Sequence, residues 1–173
     1  MNVEQIRALL GELADELAAQ GINAHLFVVG GAAMALANTR DRTTDDVDAA
    51  FVPAADVRAA AARVGARHGL DDGWLNDAVK GYLHPNWPDS PDVVQVLETS
   101  SLTVSIASTR QMLAMKVAAA RVDRDEDDIR ALAASLDLTT ADQVLAIAEQ
   151  EYGAMAAKVL GPKSQFAVQA MFD

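Results

Sequence analysis

Three features of the sequence predict an α+β fold: a mixed β-sheet core with flanking helices, followed by a helical half. Short apolar runs at 26–29, 47–52, 93–97 and 102–106 read as strands and alternate irregularly with helical stretches. From Ser108 onward every segment reads helical. Strands and helices therefore segregate along the chain and do not repeat as βαβ units. The expected organisation is residues 1–107 as a core with its N-terminal helix, and residues 108–173 as a helical region packed on it, together one compact unit.

The elements follow in order. Ile6, Leu9, Leu10, Leu13 and Leu17 recur at the spacing of one helical stripe. Asn2 with Gln5 supplies its cap and Gly21 its stop. LFVV at 26–29 is a buried strand, Gly30-Gly31 follows at once, and AAMALA is helix-forming. NTRDRTTDD is a polar loop, and Val47–Val52 is a second strand ended by Pro53. Ala54–His68 is a helix with Val57, Ala60, Ala61 and Val64 inward and Gly69 as its stop. Trp74-Leu75 and residues 79–83 read as short strands, and HPNWPDSP as a loop. Residues 93–97 and 102–106, joined by the turn-like ETSS, read as a hairpin. Ser108 with Gln111, Asp125 with Asp128, and Thr140 with Gln143 read as helix starts, and Gly161-Pro162 precedes a last helix.

Composition narrows the function. The chain has 173 residues, 51% of them apolar, enough to bury a core without staples. It has no cysteine, which excludes disulfides, thiolate zinc sites and cysteine nucleophiles. His25, His68 and His84 lack ligand spacing, which argues against a histidine-rich metal site. No apolar run spans a bilayer and the N-terminus does not read as a signal peptide, so a cytoplasmic location is expected. The net charge of -11, with a pI near 4.5, argues against a broad nucleic-acid surface. RNA could be held only on a local basic patch, and a basic protein partner suits the acidic body.

The chemistry concentrates in LFVVGGAAMALANTRDRTTDDVDAAF. Glycines between a strand and a helix let backbone approach a phosphate closely. Asp46 and Asp48 flank Val47, so strand alternation sends both carboxylates from one face, about 6.6–6.8 Å apart at Cα. Paired carboxylates repel and are costly to desolvate, and a divalent cation relieves both effects. Oxygen-only ligands favour Mg²⁺ or Mn²⁺, with substrate phosphates completing the shell. A Gly-Gly turn or a DDVD run alone is ordinarily structural; the joint order points to phosphoryl chemistry.

That order resembles the signature of the DNA-polymerase-β-like nucleotidyltransferase superfamily. More narrowly, GGAAMAL with RTTDDVD, and LAMKVAAARVDRDEDDIRAL further on, are similar to the AbiEii/MenT-like branch of bacterial toxin nucleotidyltransferases. The resemblance implies a nucleotidyltransferase-like fold and transfer of a nucleotidyl group from an NTP to an acceptor hydroxyl. The acceptor would be a tRNA 3′ end or other RNA, and the chain the toxin of a toxin–antitoxin pair with a cognate antitoxin. Asp46 and Asp48 would hold the metal. Gly30, Gly31 and Thr44 would face the triphosphate with Arg40 or Arg42 near it. Lys116 would neutralise phosphate charge, and Asp128 would position Lys116 or the metal.

The chain departs from the superfamily pattern at two points. Gly31 stands where many members have a serine, so only backbone donors are available there. Gln95 stands where a third carboxylate would be natural, which leaves Asp77, Asp92 and Glu98 as candidates for that role. A degenerate member that binds a nucleotide or protein without turnover, or an antitoxin-like partner, fits the same departures. Lys116 has a second reading as a side chain snorkelling from an apolar helix, and Asp125 and Asp128 as plain caps of a helix starting after a break near Asp123. Asp123, Asp125 and Asp127 match the start of a calcium loop, but Asp128 and Ala134 occupy its glycine and bidentate-acid positions, which excludes one. Trp74, Tyr82 and Trp87 read as core or loop anchors.

Overall fold

In a computed structural model of the chain, the described residues are 1–37, 43–78, 83–119 and 121–172, with backbone alone at 122–124. The chain divides into two compact units, residues 1–81 with 88–106, and residues 82–87 with 107–173.

The first unit is built on a five-stranded mixed sheet of order β3-β2-β1-β5-β4. Its elements are α1 (Val3–Ala18), β1 (Ala24–Val28), α2 (Gly30–Leu36), β2 (Val47–Val52), α3 (Ala54–His68), β3 (Leu75–Asn76), β4 (Val94–Glu98) and β5 (Leu102–Ile106). β1 is central, antiparallel to β2 and parallel to β5, which forms the expected hairpin with β4. One face buries Leu26 and Val28 of β1, Val47, Ala49 and Phe51 of β2, and Leu102, Val104 and Ile106 of β5. The registers Leu26↔Phe51, Val28↔Ala49 and Leu26↔Val104 put these residues in common rows. Asp48 and Ala50 alternate to the other face and are only half-buried. This alternation carries the candidate acids out of the apolar layer.

α1 and α3 pack on one another and on the sheet. The α1 stripe of Ile6, Leu9, Leu10, Leu13 and Leu17 is buried, and Asn2 and Gln5 form a reciprocal capping box. α3 ends on Gly69 in the left-handed conformation that its missing side chain permits. Trp74 locks the connection to β3: its Nε1 donates to the Ala61 carbonyl at 2.9 Å, and its ring fills the space beside Gly65. Of the short strands expected around Trp74 and Leu83, Leu75–Asn76 forms; residues 79–82, with Tyr82, lie outside the described residues.

The second unit is helical: α4 (Thr109–Ala119), α5 (Val122–Ser135), α6 (Ala141–Tyr152), α7 (Ala156–Val159) and α8 (Pro162–Phe172). α4 packs against α5, α6 and α8. The Ser108–Gln111 and Thr140–Gln143 capping boxes form as expected. Trp87 is buried against Tyr152, with ring centroids 5.0 Å apart, and so anchors residues 83–87 to this unit. The expected cap at Asp125 does not form. α5 begins earlier, at Val122, so Asp125 and Asp128 lie inside the helix, and both side chains are turned to Lys116. An ammonium partner at hydrogen-bond distance outcompetes the backbone N–H groups for these carboxylates.

Among the described residues, no helix is long and apolar enough to cross a membrane.

Candidate functional site

The carboxylate pair sits where β1, α2, β2 and β3 meet. The β1–β2 ladder continues past its last strand pair, with the Val29 N–H donating to the Asp48 carbonyl at 2.9 Å. This bond sets the α2 glycines beside Asp48. Gly30 has a φ of +66°, and a Cβ built there would lie 3.2 Å from Asp48 Oδ2. A Cβ on Gly31 would lie 2.9 Å from Thr44 Oγ1. Both glycines therefore make room for side chains of the site itself. α2 has seven residues, so any macrodipole contribution to anion binding is small, and local room is the better account of the pair.

Thr44 is fixed by its backbone. Its N–H donates to the Met1 carbonyl at 2.9 Å, and the Met1 amino group donates back to the Thr44 carbonyl. The Thr44 hydroxyl donates to the Asp46 carbonyl at 3.1 Å, which shapes the approach to β2. Arg40 and Arg42 lie outside the described residues.

β3 supplies a residue that sequence reasoning missed. Asn76 stands opposite Asp48 in the parallel β2–β3 register, and its Nδ2 donates to Asp46 Oδ2 at 3.1 Å. Asn76 can face Asp48 and reach Asp46 two positions back only if all three side chains leave one side of the sheet. The structure thus brings Asp46, Asp48 and Asn76 together. No titratable residue marks Asn76 in the sequence; its only signal is its place two residues after a tryptophan that anchors a strand.

The candidates for a third carboxylate are not gathered with this pair. Asp77 pairs with Arg58 of α3 at 2.5 Å. Glu98 accepts from Gln95 Nε2 at 2.8 Å, and it faces Thr103 on the far side of the sheet. Register places Glu98 three strands from β2, roughly 14 Å across the sheet, and near the opposite end of β1. Asp92 is exposed in the turn before β4, its N–H taken by the Ser90 hydroxyl at 3.2 Å. Among the described residues, no group of three or more acids and histidines is placed to hold a metal.

The second unit carries a separate ionic cluster. Lys116 Nζ donates to Asp125 Oδ1 at 2.7 Å and lies 2.8 Å from Asp128 Oδ2. Lys116 is 8% exposed, Asp125 1% and Asp128 0%, which overturns the snorkelling reading. Half-exposed Arg121 adds a contact to Asp125 Oδ2 at 3.0 Å. Buried carboxylates are costly unless paired, and the lysine meets that need for both. Two of its three N–H groups face these acids. The structure brings Lys116, Asp125 and Asp128 together.

The chain matches, over residues 5–158, the model of a protein family described as nucleotidyltransferase of unknown function (DUF6036). No curated protein and no solved structure matches it.

Proposed function

Because the chain belongs to this nucleotidyltransferase family, we propose that it moves a nucleotidyl group from an NTP to an acceptor hydroxyl, using a divalent cation held by Asp46 and Asp48. One observation carries the reading: the two acids and Asn76 share one side of the sheet, beside Gly30, whose missing side chain makes room for the Asp48 carboxylate. The donor set suits Mg²⁺ or Mn²⁺, since hard carboxylate oxygens are present and thiolates are excluded by composition. Two protein carboxylates are the usual complement for Mg²⁺ when substrate phosphates and water fill the remaining positions. When bound, the cation supplies charge neutralisation on the triphosphate and on the departing pyrophosphate.

The remaining roles belong to the chain. Gly30 makes room for the Asp48 carboxylate and Gly31 for Thr44, so both side chains can stand beside the triphosphate. Thr44 shapes the approach to Asp46 beside the triphosphate, and Arg40 and Arg42 on the same connection would offer it two guanidinium groups. Lys116, paired with Asp125 and Asp128, would neutralise phosphate charge in the transition state, the role that the resemblance gives it. The finer reading follows the resemblance: the acceptor is RNA, with a tRNA 3′ end as the first candidate, and the chain is the toxin of a pair whose antitoxin meets its acidic surface.

The test is incubation with each labelled NTP, Mg²⁺ and total RNA, followed by isolation of the labelled product. The expected result is label on RNA, lost in Asp46→Ala and Asp48→Ala. Activity retained in Asp46→Ala contradicts the metal assignment. A second reading, a degenerate member that binds without turnover, is favoured by one observation: Asp77 is turned to Arg58 and Glu98 lies three strands from β2, so neither stands ready as a base. NTP binding without label transfer to any acceptor would select it.

A further inference from the structure

Asn76 is held more firmly than its two-residue strand suggests. The Val47 N–H donates to the Trp74 carbonyl at 2.6 Å, and Trp74 is buried and tied to α3 through Ala61. Leu75 pairs with Val47 and is buried, so Asn76 is delivered to the opposite side of the sheet by alternation. The side-chain amide is oriented from both ends. Its Oδ1 accepts the Ala78 N–H at 3.0 Å, so its Nδ2 is the atom that faces Asp46 Oδ2 at 3.1 Å, with the Gly73 carbonyl at 3.4 Å. No flip of the amide satisfies these partners, because a carboxylate and a carbonyl both demand a donor.

The type of residue matters as much as its place. A lysine or arginine there would neutralise the acid pair and compete with a cation. A third carboxylate would add like-charge repulsion to the pair. An amide fixes one oxygen of Asp46 and leaves the negative charge of the pair intact. The neighbouring acid, Asp77, is paired with Arg58.

We propose that Asn76 is the positioning residue of the site: by holding Oδ2 of Asp46 it presents that carboxylate, together with Asp48, to a divalent cation. The proposal rests on the reading of Asp46 and Asp48 as cation ligands. Partners that orient metal-binding groups in this way typically contribute about 10–100-fold to metal affinity.

The test is Mn²⁺ binding to the full chain without nucleotide, followed by the electron paramagnetic resonance of free Mn²⁺, in wild type, Asn76→Ser and Asp46→Ala. Metal-free thermal unfolding is recorded for each. Serine keeps an oxygen for the Ala78 N–H, as in a serine turn, but is too short to reach Asp46. Asn76→Ser is expected to bind Mn²⁺ at least about tenfold more weakly while unfolding near the wild-type temperature, and Asp46→Ala to lose binding. Wild-type affinity in Asn76→Ser, with binding lost in Asp46→Ala, overturns the positioning role and leaves the cation site standing. No binding in wild type, or binding that survives Asp46→Ala, overturns the cation reading and the proposal with it. A second measurement needs no variant at Asn76. Its side-chain amide proton resonances should shift on addition of Mg²⁺, and unshifted resonances at saturating Mg²⁺ overturn the proposal.

Discussion

Replacing Lys116 by methionine removes the ammonium from between two buried carboxylates while keeping the unbranched stem, one atom shorter. The wild-type contacts are 2.7 Å to Asp125 and 2.8 Å to Asp128. At an effective dielectric of about 20, each is worth roughly 6 kcal/mol of gross Coulomb attraction. Desolvation of the three groups offsets most of that, so the pair as a whole contributes little net stability. Removing one partner is different, because the cost of burying the acids stays. Arg121 remains on Asp125 and compensates part of the loss there; Asp128, fully buried, loses its ammonium. The expected destabilisation is about 3–5 kcal/mol. Urea unfolding followed by circular dichroism measures it. The double variant Lys116→Met with Asp128→Leu should be more stable than Lys116→Met alone, with a coupling of at least about 1 kcal/mol. A single variant within about 1 kcal/mol of wild type would refute the claim that Lys116 offsets the burial of these acids.

Further outcomes follow from the same geometry. Gly31→Ala should cost about 1–3 kcal/mol in the same unfolding assay, because its Cβ meets Thr44 Oγ1 at 2.9 Å, and Thr44→Ala in that background should recover part of it. Gly30→Ala should cost about 1–2 kcal/mol from the left-handed backbone alone and should weaken Mn²⁺ binding by crowding Asp48. Trp74→Phe should destabilise by about 1–3 kcal/mol, since the buried indole bond to the Ala61 carbonyl is lost and the smaller ring leaves space beside Gly65. Hydrogen bonds from His68 and Arg67 lower the Glu12 carboxyl below its usual 4.5, and those from Arg63 and Arg67 do the same for Glu16. Their contribution to stability is therefore fully present above pH 4.5 and is lost as pH falls through the depressed folded values. Carbon NMR titration of the two carboxyls should show both midpoints below 4.5 and moving up with added salt; unshifted midpoints would contradict the pairing.

Much of the fold was legible because local signals agreed with packing. The β2 and α3 boundaries follow from the apolar run before Pro53 and from Gly69. The capping residues at Asn2, Ser108 and Thr140 mark their helices by short-range hydrogen bonds that tertiary contacts do not disturb. Asp125 failed as a cap for the opposite reason: its partner, Lys116, lies nine residues away across a helix break, and no local pattern encodes that pairing. In the candidate site, Asp46, Asp48 and the glycine pair were readable from strand alternation and their order. The reason for the glycines was not, since it depends on where Asp48 and Thr44 come to rest in space. Asn76 was invisible because its meaning comes from the β2–β3 register, which two strand residues cannot announce. Asp77 drew attention as a charged neighbour, yet Arg58 of α3 claims it.

The most direct test is a crystal of the full chain grown with Mn²⁺ and a non-hydrolysable NTP, with anomalous data collected at the manganese edge. The account predicts a peak in contact with carboxylate oxygens of both Asp46 and Asp48 and with phosphate oxygens of the nucleotide. A bound nucleotide whose manganese lies away from these two side chains would contradict it.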